Sequence, residues 1–412
     1  MMKIVKKNLK IKIFPSKVNT NDKGDKIVSV DVIESNMAHA RFVWNKILEF
    51  INYFTELLSQ NGYEKKLKIY DKEFNMLLNW IKDENEFLKK SESSSLQQVY
   101  KDLENAFKRF LNPDLKSYYP RFKSRKHPKY SFRIQNNSNN VRIQKNQYGH
   151  EKLKLAKHGL VKFKTSKEYK ELLCRASNPN DLTVKIKHVI IKKEFENYFA
   201  VVNIECIHIP VQKNKNPQKV GIDIGCSKIA VLSNKQEITN LDLSKETEMI
   251  IKYQKIMSHT RKGSIRHQRA QRLYRKWMTR LVNKRNDYYD KITIEIVKNS
   301  TLVAVQNENI IVWKQNKHLS RKLQINAPRI FMDKLEYKCD WNDTIFIKVP
   351  KYFSSTQICS KCGKQNHDVA GIGNLGVRNW KCPFCGAYHD RDLNASINIL
   401  NKGLEIVGTT MQ

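Results

Sequence analysis

The most constraining feature of this chain lies near its C-terminus. It reads ICSKCG, then residues 364–381, then CPFCGAYHDRDLNASINIL. The CxxC pairs Cys359/Cys362 and Cys382/Cys385 let each turn offer two thiolates to one ion, the pattern of a tetrahedral zinc site. With four thiolates the site is closed, so one structural Zn²⁺ is expected there rather than a catalytic one. Dithiol redox chemistry would need only one such pair. The remaining cysteines, Cys174, Cys206, Cys226 and Cys339, are single and scattered. In a chain of 412 residues they read as inert, partly buried thiols, not as a disulfide framework. The cysteine module runs almost directly into Asp390 and Asp392, ahead of a helical pattern from about Leu393 that carries Ala395, Ile397, Ile399 and Leu400.

Two other acids stand in telling surroundings. In KVGIDIGCSKIAVLS, Val220, Ile222 and Ile224 alternate with Gly221, Asp223 and Gly225. This is a strand, and a second apolar run at residues 229–232 makes it a hairpin. Asp223 then sits mid-strand opposite the three aliphatics, where a carboxylate costs free energy unless a cation or metal pairs with it. The flanking glycines leave room for a ligand or another backbone to approach. Glu308 ends the next apolar strand, TLVAVQNENII. Carboxylates on a hairpin, a later strand and a late helix are the hard oxygen ligands that a pair of divalent cations needs for phosphodiester hydrolysis.

The charge points to the substrate class. There are 76 Lys and Arg against 40 Asp and Glu, a formal net charge of +36. A field this positive attracts phosphate and repels itself when no polyanion is bound. No run approaches the ~20 apolar residues of a membrane span, and MMKIVKKNLKIKIFP lacks the apolar centre of a signal peptide. No membrane partner is expected. The positive charge is concentrated in two places. In SYYPRFKSRKHPKYSFRIQNN, Tyr118, Tyr119, Phe122, Tyr130 and Phe132 interleave with Arg121, Lys123, Arg125, Lys126, Lys129 and Arg133. Rings that stack on bases, beside cations that hold the backbone, suit nucleic acid. Residues 252–291 form a long basic helical region with 13 Lys/Arg and only two acids. Leu273, Trp277 and Leu281 make its apolar stripe; Arg266, Arg269, Arg272, Lys276 and Arg280 make a basic one.

Elsewhere the pattern is a barrel with a helical insertion. KIVKKNLKIKIF (3–14) alternates as a strand. Ala40, Trp44, Ile47, Ile51, Phe54 and Leu58 recur at helical spacing between Asn36 and Ser59, and helical patterns continue to Leu111. Strand signals return over 141–209, with a hairpin turning near Glu194–Asn197. Residues 211–219 read as a linker.

Taken together, these stretches resemble the TnpB (OrfB) proteins encoded by bacterial and archaeal insertion sequences, relatives of the type V CRISPR nucleases. The similar segments are MAHARFVWNKIL, YYPRFKSRK with YSFRIQNN, LKLAKHGLVKFK, VGIDIG, RKGSIRHQRAQRLYRK, VAVQNENI, SSTQICSKCG and CPFCGAYHDRDLNASINI, spread over nearly the whole chain. The resemblance implies an α/β multidomain protein. A wedge β-barrel (1–34 and 118–212) would be interrupted by a helical recognition lobe (35–117). A RuvC-like, RNase H-fold nuclease domain (213–354 and 389–412) would follow, with a zinc ribbon inserted at 355–388. It also implies a guide RNA, a double-stranded DNA target cut beside a short adjacent motif, and a prokaryotic, cytoplasmic, nucleoid-associated setting. The implied catalytic residues are Asp223, Glu308 and Asp392, holding two Mg²⁺. Asp392 is preferred to Asp390 because the family's ligand precedes the Asn of an NA pair by two residues, here Asn394. Asp390 and Arg391 become flanking partners. The strand of Glu308 continues ENIIVW, where the family often has Asp or Asn and then Leu. The nucleic-acid contacts fall on Arg121, Lys123, Arg125, Lys126 and Tyr130, and on Arg266, Arg269, Arg272, Lys276 and Arg280. Two rival readings are a strand-joining transposase and a non-cleaving RNA-guided repressor. The first would need a His-x-His pair, and none of the 11 histidines is two residues from another; the second would lack the acids.

Overall fold

The computed structural model describes residues 3–16, 19–20, 26–27, 29–61, 71–115, 117–124, 131–137, 139–194, 196–225, 227–307, 317–369 and 377–410. It divides into two compact units, Met2–His208 and Ile209–Gln412.

The first unit begins with β1 (Lys3–Phe14), whose Leu9, Ile11 and Ile13 are buried between exposed or half-buried neighbours, as its alternation requires. A two-residue ribbon, β2 (Asn19–Thr20) with β3 (Lys26–Ile27), leads to three helices: α1 (Ser29–Gln60), α2 (Asp71–Glu84) and α3 (Ser93–Leu111). Their mutual core is Ile33, Val43, Ile47 and Leu48 with Phe74, Leu78, Ile81, Leu96 and Leu103. Helix α1 opens at Ser29, ahead of the Asn36 start that apolar spacing gives. Its stripe is buried only as far as Ile51, and Phe54 is exposed. The chain then returns through β4 (Ser131–Gln135), β5 (Val141–Lys145), β6 (Glu151–Leu155), β7 (Gly159–Lys164), α4 (Lys167–Ala176), β8 (Val184–Glu194) and β9 (Asn197–His208). Seven strands pair antiparallel in the order β4-β8-β9-β1-β7-β6-β5, and edge strand β5 comes back against β8, so the sheet is a nearly closed barrel.

A buried polar tie joins the helices to this sheet. His158, in the β6–β7 turn, is fully buried and stacked on Phe132 at 5.4 Å. Its Nε2 accepts from Asn36 Nδ2 at 2.9 Å, its Nδ1 donates to the Ala156 carbonyl at 2.6 Å, and Asn36 Oδ1 accepts from the Glu92 N–H at 3.3 Å. Each polar group is satisfied, which is the condition for burying it at all.

The second unit contains β10 (Gln218–Ile224), β11 (Lys228–Leu232), β12 (Glu237–Thr239), α5 (Ser244–Ser258), α6 (Ile265–Lys298), β13 (Ser300–Gln306), α7 (Lys317–Asn326), α8 (Pro328–Trp341), β14 (Ile345–Val349), β15 (Asn379–Lys381), β16 (Tyr388–Asp390) and α9 (Arg391–Thr410). A five-stranded sheet has the order β12-β11-β10-β13-β14; β11 runs antiparallel to both β10 and β12, whereas β13 is parallel to β10 and to β14. On one face Val220, Ile222, Ile224, Val303 and Val305 pack with Tyr289, Phe331 and Leu335 of α6 and α8. On the other, Leu302 and Ala304 pack with Ile399, Leu400 and Leu404 of α9.

The basic region is two packed helices rather than one run, because residues 259–264 interrupt it. Gly263 takes φ +86°, and Ser264 caps α6 by accepting from the His267 N–H at 3.2 Å.

Candidate active site and metal centre

Helix α9 lies unusually close to β10 and β13, with one glycine at each approach. A Cβ on Gly221 would fall 2.1 Å from the Ser396 carbonyl oxygen and 2.5 Å from the Leu400 nitrogen; one on Gly403 would fall 2.6 Å from Ala304 Cβ. Residues 221 and 223 share a strand face, so Asp223 lies on the side of the sheet that carries α9. It is half-buried. Asp392 stands in the first turn of α9, one helical turn before Ser396. Its side chain is 23% exposed, with Arg378 Nη1 3.4 Å from Oδ2. Lys228, at the start of β11, senses the charge of both late acids. Its pKa is raised chiefly by the Glu237 carboxylate at 2.6 Å, with smaller contributions from Asp390 and Asp392.

The structure separates the roles of the two late acids. Asp390 Oδ1 accepts from the Leu393 N–H at 2.8 Å, so Asp390 is the N-cap of α9. The three-residue offset from Asp390 to Leu393 is a capping signal that reading the DRD triplet only for metal ligands overlooks. Asp392 is therefore the late acid whose carboxylate is not committed to the cap. Glu308 lies outside the described residues. Strand β13 ends two residues before it, and Val305 is in register with Ile222, the neighbour of Asp223.

The cysteine module is two equivalent turns. Gly363 N donates to Cys359 O at 2.8 Å and Cys359 N to Lys364 O at 2.9 Å. In the second turn Gly386 N donates to Cys382 O at 3.0 Å and Cys382 N to Ala387 O at 2.8 Å. Gly363 and Gly386 supply the left-handed backbone, at φ +74° and +70°. The four ligand sulfurs lie within 4.8 Å of one another, with Cys359–Cys385 and Cys362–Cys382 each at 3.7 Å. A tetrahedron with Zn–S bonds of ~2.3 Å has edges of ~3.8 Å, so the thiol set fits zinc. Burial pushes the Cys359 thiol up to about 12. Burial also opposes ionisation at Cys382, but the N–H groups of Cys385 and Phe384 outweigh it and draw that thiol to about 7. Trp380 and Val369 close a small core over Cys359 and Cys382, and His389 Nε2 lies 3.0 Å from Cys359 Sγ. Of the single cysteines, Cys206 and Cys339 are buried, Cys174 is half-buried and Cys226 lies outside the described residues. Burial raises the Cys339 thiol to about 12, an inert group.

Arg266, Arg269, Arg272 and Lys276 are exposed along α6. Arg280 differs: its Nε lies 3.2 Å from buried Glu246, which Lys284 also reaches at 2.6 Å, so this residue ties α6 to α5. In the first unit, residues 117–124 are strapped along α1. Trp44 Nε1 donates to Arg121 O at 3.0 Å, and Asn45 both accepts from Lys123 N at 2.8 Å and donates to Lys123 O at 3.2 Å. Tyr118 and Phe122 are left exposed, with the Arg121 guanidinium over the Tyr118 ring. Arg125, Lys126, Lys129 and Tyr130 lie outside the described residues. Among the described residues, no helix is long and apolar enough to cross a membrane.

Residues 200–316 match a family model described as "Probable transposase", and residues 329–399 match one described as "Cas12f1-like, TNB domain". A Streptomyces pristinaespiralis protein named "Putative RNA-guided DNA endonuclease" is 27% identical over 98% of this chain and 91% of its own. An Escherichia coli K12 protein, "Putative RNA-guided DNA endonuclease InsQ", is 25% identical over 88% and 86%. A TnpB-like protein of Acanthamoeba polyphaga mimivirus is 28% identical over 54% of this chain and 45% of its own. The protein chain in a Cas12f1–sgRNA–target DNA complex shares the fold at TM-score 0.53 and 13% identity, covering 97% of this chain and 99% of that one. Together these matches support reading the chain as a member of the TnpB (OrfB) family of insertion-sequence proteins.

Proposed function

We propose that the chain is an RNA-guided DNA endonuclease that hydrolyses target DNA beside a short adjacent motif, with Asp223, Glu308 and Asp392 as its divalent-cation ligands. The observation that carries this reading is the close crossing of β10 and α9. It brings the strand face of Asp223 under the helix whose first turn bears Asp392. The sheet order, with β10 between an antiparallel hairpin and two parallel strands, supports a RuvC-like nuclease domain built from 213–354 and 389–412. The nearly closed barrel and its helical insertion support the wedge and recognition assignments for residues 1–212. Two relatives matched along most of their length carry the activity in their names.

Hard carboxylate oxygens of half-buried Asp223 and Asp392 fit magnesium. Two Mg²⁺, when bound, supply the paired positive charge that the attacking and leaving oxygens of phosphodiester hydrolysis need. The chain's own residues do the rest. Asp390 fixes the start of α9 and so the direction of Asp392. Arg378 neutralises Asp392 in the free protein and then lies beside the incoming phosphate. The α6 arginines and the 117–124 strap hold RNA or heteroduplex backbone, while base pairing reads sequence. The four cysteines hold zinc and keep the module shut.

The test is to purify the protein with its bound RNA, sequence that RNA, and assay cutting in Mg²⁺. A discrete RNA with a variable end, target cutting, and loss of cutting in Asp223→Ala and Asp392→Ala with RNA retained are expected. Unchanged cutting by either variant refutes the site; random RNA refutes the guided reading.

A further inference from the structure

The cysteine clip and the acid-bearing helix are joined by more than chain continuity. Asn394 and Asn398 stand one turn apart on α9, both almost fully buried, at 1% and 4% exposure. Asn394 donates from Nδ2 to the Ile358 carbonyl at 2.7 Å and accepts at Oδ1 from the Ser360 N–H at 2.9 Å. It thus grips the backbone on both sides of Cys359. Asn398 donates from Nδ2 to the Ile358 carbonyl at 2.6 Å and to the Ser355 carbonyl at 2.8 Å. The side-chain amide matches a peptide C=O and N–H with a donor and an acceptor on separate atoms at the end of a two-bond reach, which the shorter single-atom hydroxyl of Ser does not span; Asp cannot donate and Leu can do neither. The gripped turn is the one that presents a zinc thiolate, and Asn394 lies two residues from Asp392.

We infer that Asn394 and Asn398 are positioning residues that couple the zinc clip to the cation site at Asp392, so that the state of the clip sets that site's affinity for metal. Zinc holds Cys359, Cys359 holds residues 358–360, and the two amides hold those residues to the first turns of α9. When the clip opens, residues 358–360 lose their fixed place, the amides lose their partners, and the turn bearing Asp392 loosens. The inference rests on the reading of Asp392 as a cation ligand.

The test uses the full chain with its guide RNA and titrates Mn²⁺, followed by its paramagnetic resonance spectrum. Asn394→Ser is expected to raise the Mn²⁺ Kd about tenfold, the usual effect of losing an outer support of a metal site, while keeping one zinc per chain and unchanged RNA affinity. Wild-type protein stripped of zinc and dialysed is expected to lose Mn²⁺ affinity by the same factor. Stripping Asn394→Ser is then expected to cost nothing further, because both changes cut one linkage. Losses that multiply instead overturn the coupling, as does an Asn394→Ser Mn²⁺ Kd equal to wild type. If Asn394→Ser does not fold, Asn398→Ser, which gives up only its bonds to Ser355 and Ile358, carries the same cycle. Asp392→Ala separates the two levels. If it abolishes tight Mn²⁺ binding while the Asn variants leave it intact, the coupling alone fails. If it leaves tight binding intact, the reading of the acid site fails and the inference with it.

Discussion

Replacing Gly221 by Ala tests whether the approach of α9 to β10 sets the site. The added Cβ would sit 2.1 Å from the Ser396 carbonyl oxygen and 2.5 Å from the Leu400 nitrogen, where ordinary contact begins at 3.4 Å. Both obstacles are backbone, so no rotamer change relieves them, and α9 must recede by about 1.3 Å. Overpacking of this kind costs ~1–3 kcal/mol, and a clash with rigid backbone belongs at the upper end. At ~2–4 °C per kcal/mol for a unit of this size, Tm should fall by roughly 6–12 °C. The displacement moves Asp392 relative to Asp223, so Mg²⁺-dependent cutting measured well below the new Tm should fall steeply while guide RNA is retained. Gly408→Ala is the internal control. A Cβ there meets nothing within 4 Å, and a helical Gly→Ala change gains up to ~1 kcal/mol. Differential scanning calorimetry and a cleavage time course on both variants decide the matter. If Gly221→Ala keeps wild-type Tm and cutting, the close crossing does not position the acids.

Other outcomes follow from single residues. Burial holds the His158 imidazole down to about 4, against 6.5 when free. A base with a lowered folded pKa contributes fully above the unfolded value and loses that contribution as pH falls from 6.5 toward 4. Linkage gives a loss of ~2 kcal/mol between pH 7 and pH 5, so denaturant unfolding of the wild type should show about that much more acid sensitivity than His158→Gln; equal sensitivity refutes the neutral burial. Asp390→Ala removes the α9 cap, worth ~1 kcal/mol, and should lower Tm modestly while cutting persists, whereas isosteric Asp392→Asn should stop cutting. A dead Asp390→Ala with an active Asp392→Asn would reverse the assignment. Chelating zinc should speed hydrogen exchange over 355–369 and 377–390 and leave β10 and β13 protected; uniform protection would mean the clip closes without metal.

The sequence spoke most clearly where one physical rule acted alone. Leu9, Ile11 and Ile13 had only to alternate, and β1 follows them. The cysteine turns were legible because CxxCG carries both the ligands and the glycine their backbone needs. Reading was weaker where two rules met. Asp390 and Asp392 are alike in composition, and only the exact start of α9 makes one a cap and leaves the other outside it. The basic stretch of residues 252–291 has helical spacing throughout, so the break at Gly263 and Ser264 was outweighed by periodicity. Arg378 and Asn398 left no periodic or motif signal, and the NA pair marked Asn394 only as a landmark for Asp392, because their partners are backbone atoms and a carboxylate distant in the chain. Glu246 was hidden for a different reason: one buried acid answering Arg280 and Lys284 changes the role of part of a stripe that looks uniformly phosphate-facing.

Strand β16 ends at Asp390 and helix α9 begins at Arg391, with no spacer between them. One residue inserted there would turn everything downstream by ~100° about the helix axis, swinging the carboxylate away from the sheet and unseating both amides. The stretch from Ser355 to Asn398 is thus a single mechanical part with a fixed internal count. It should not tolerate a change of length at its junction with α9, and a transplant between relatives should succeed only when the whole block travels intact.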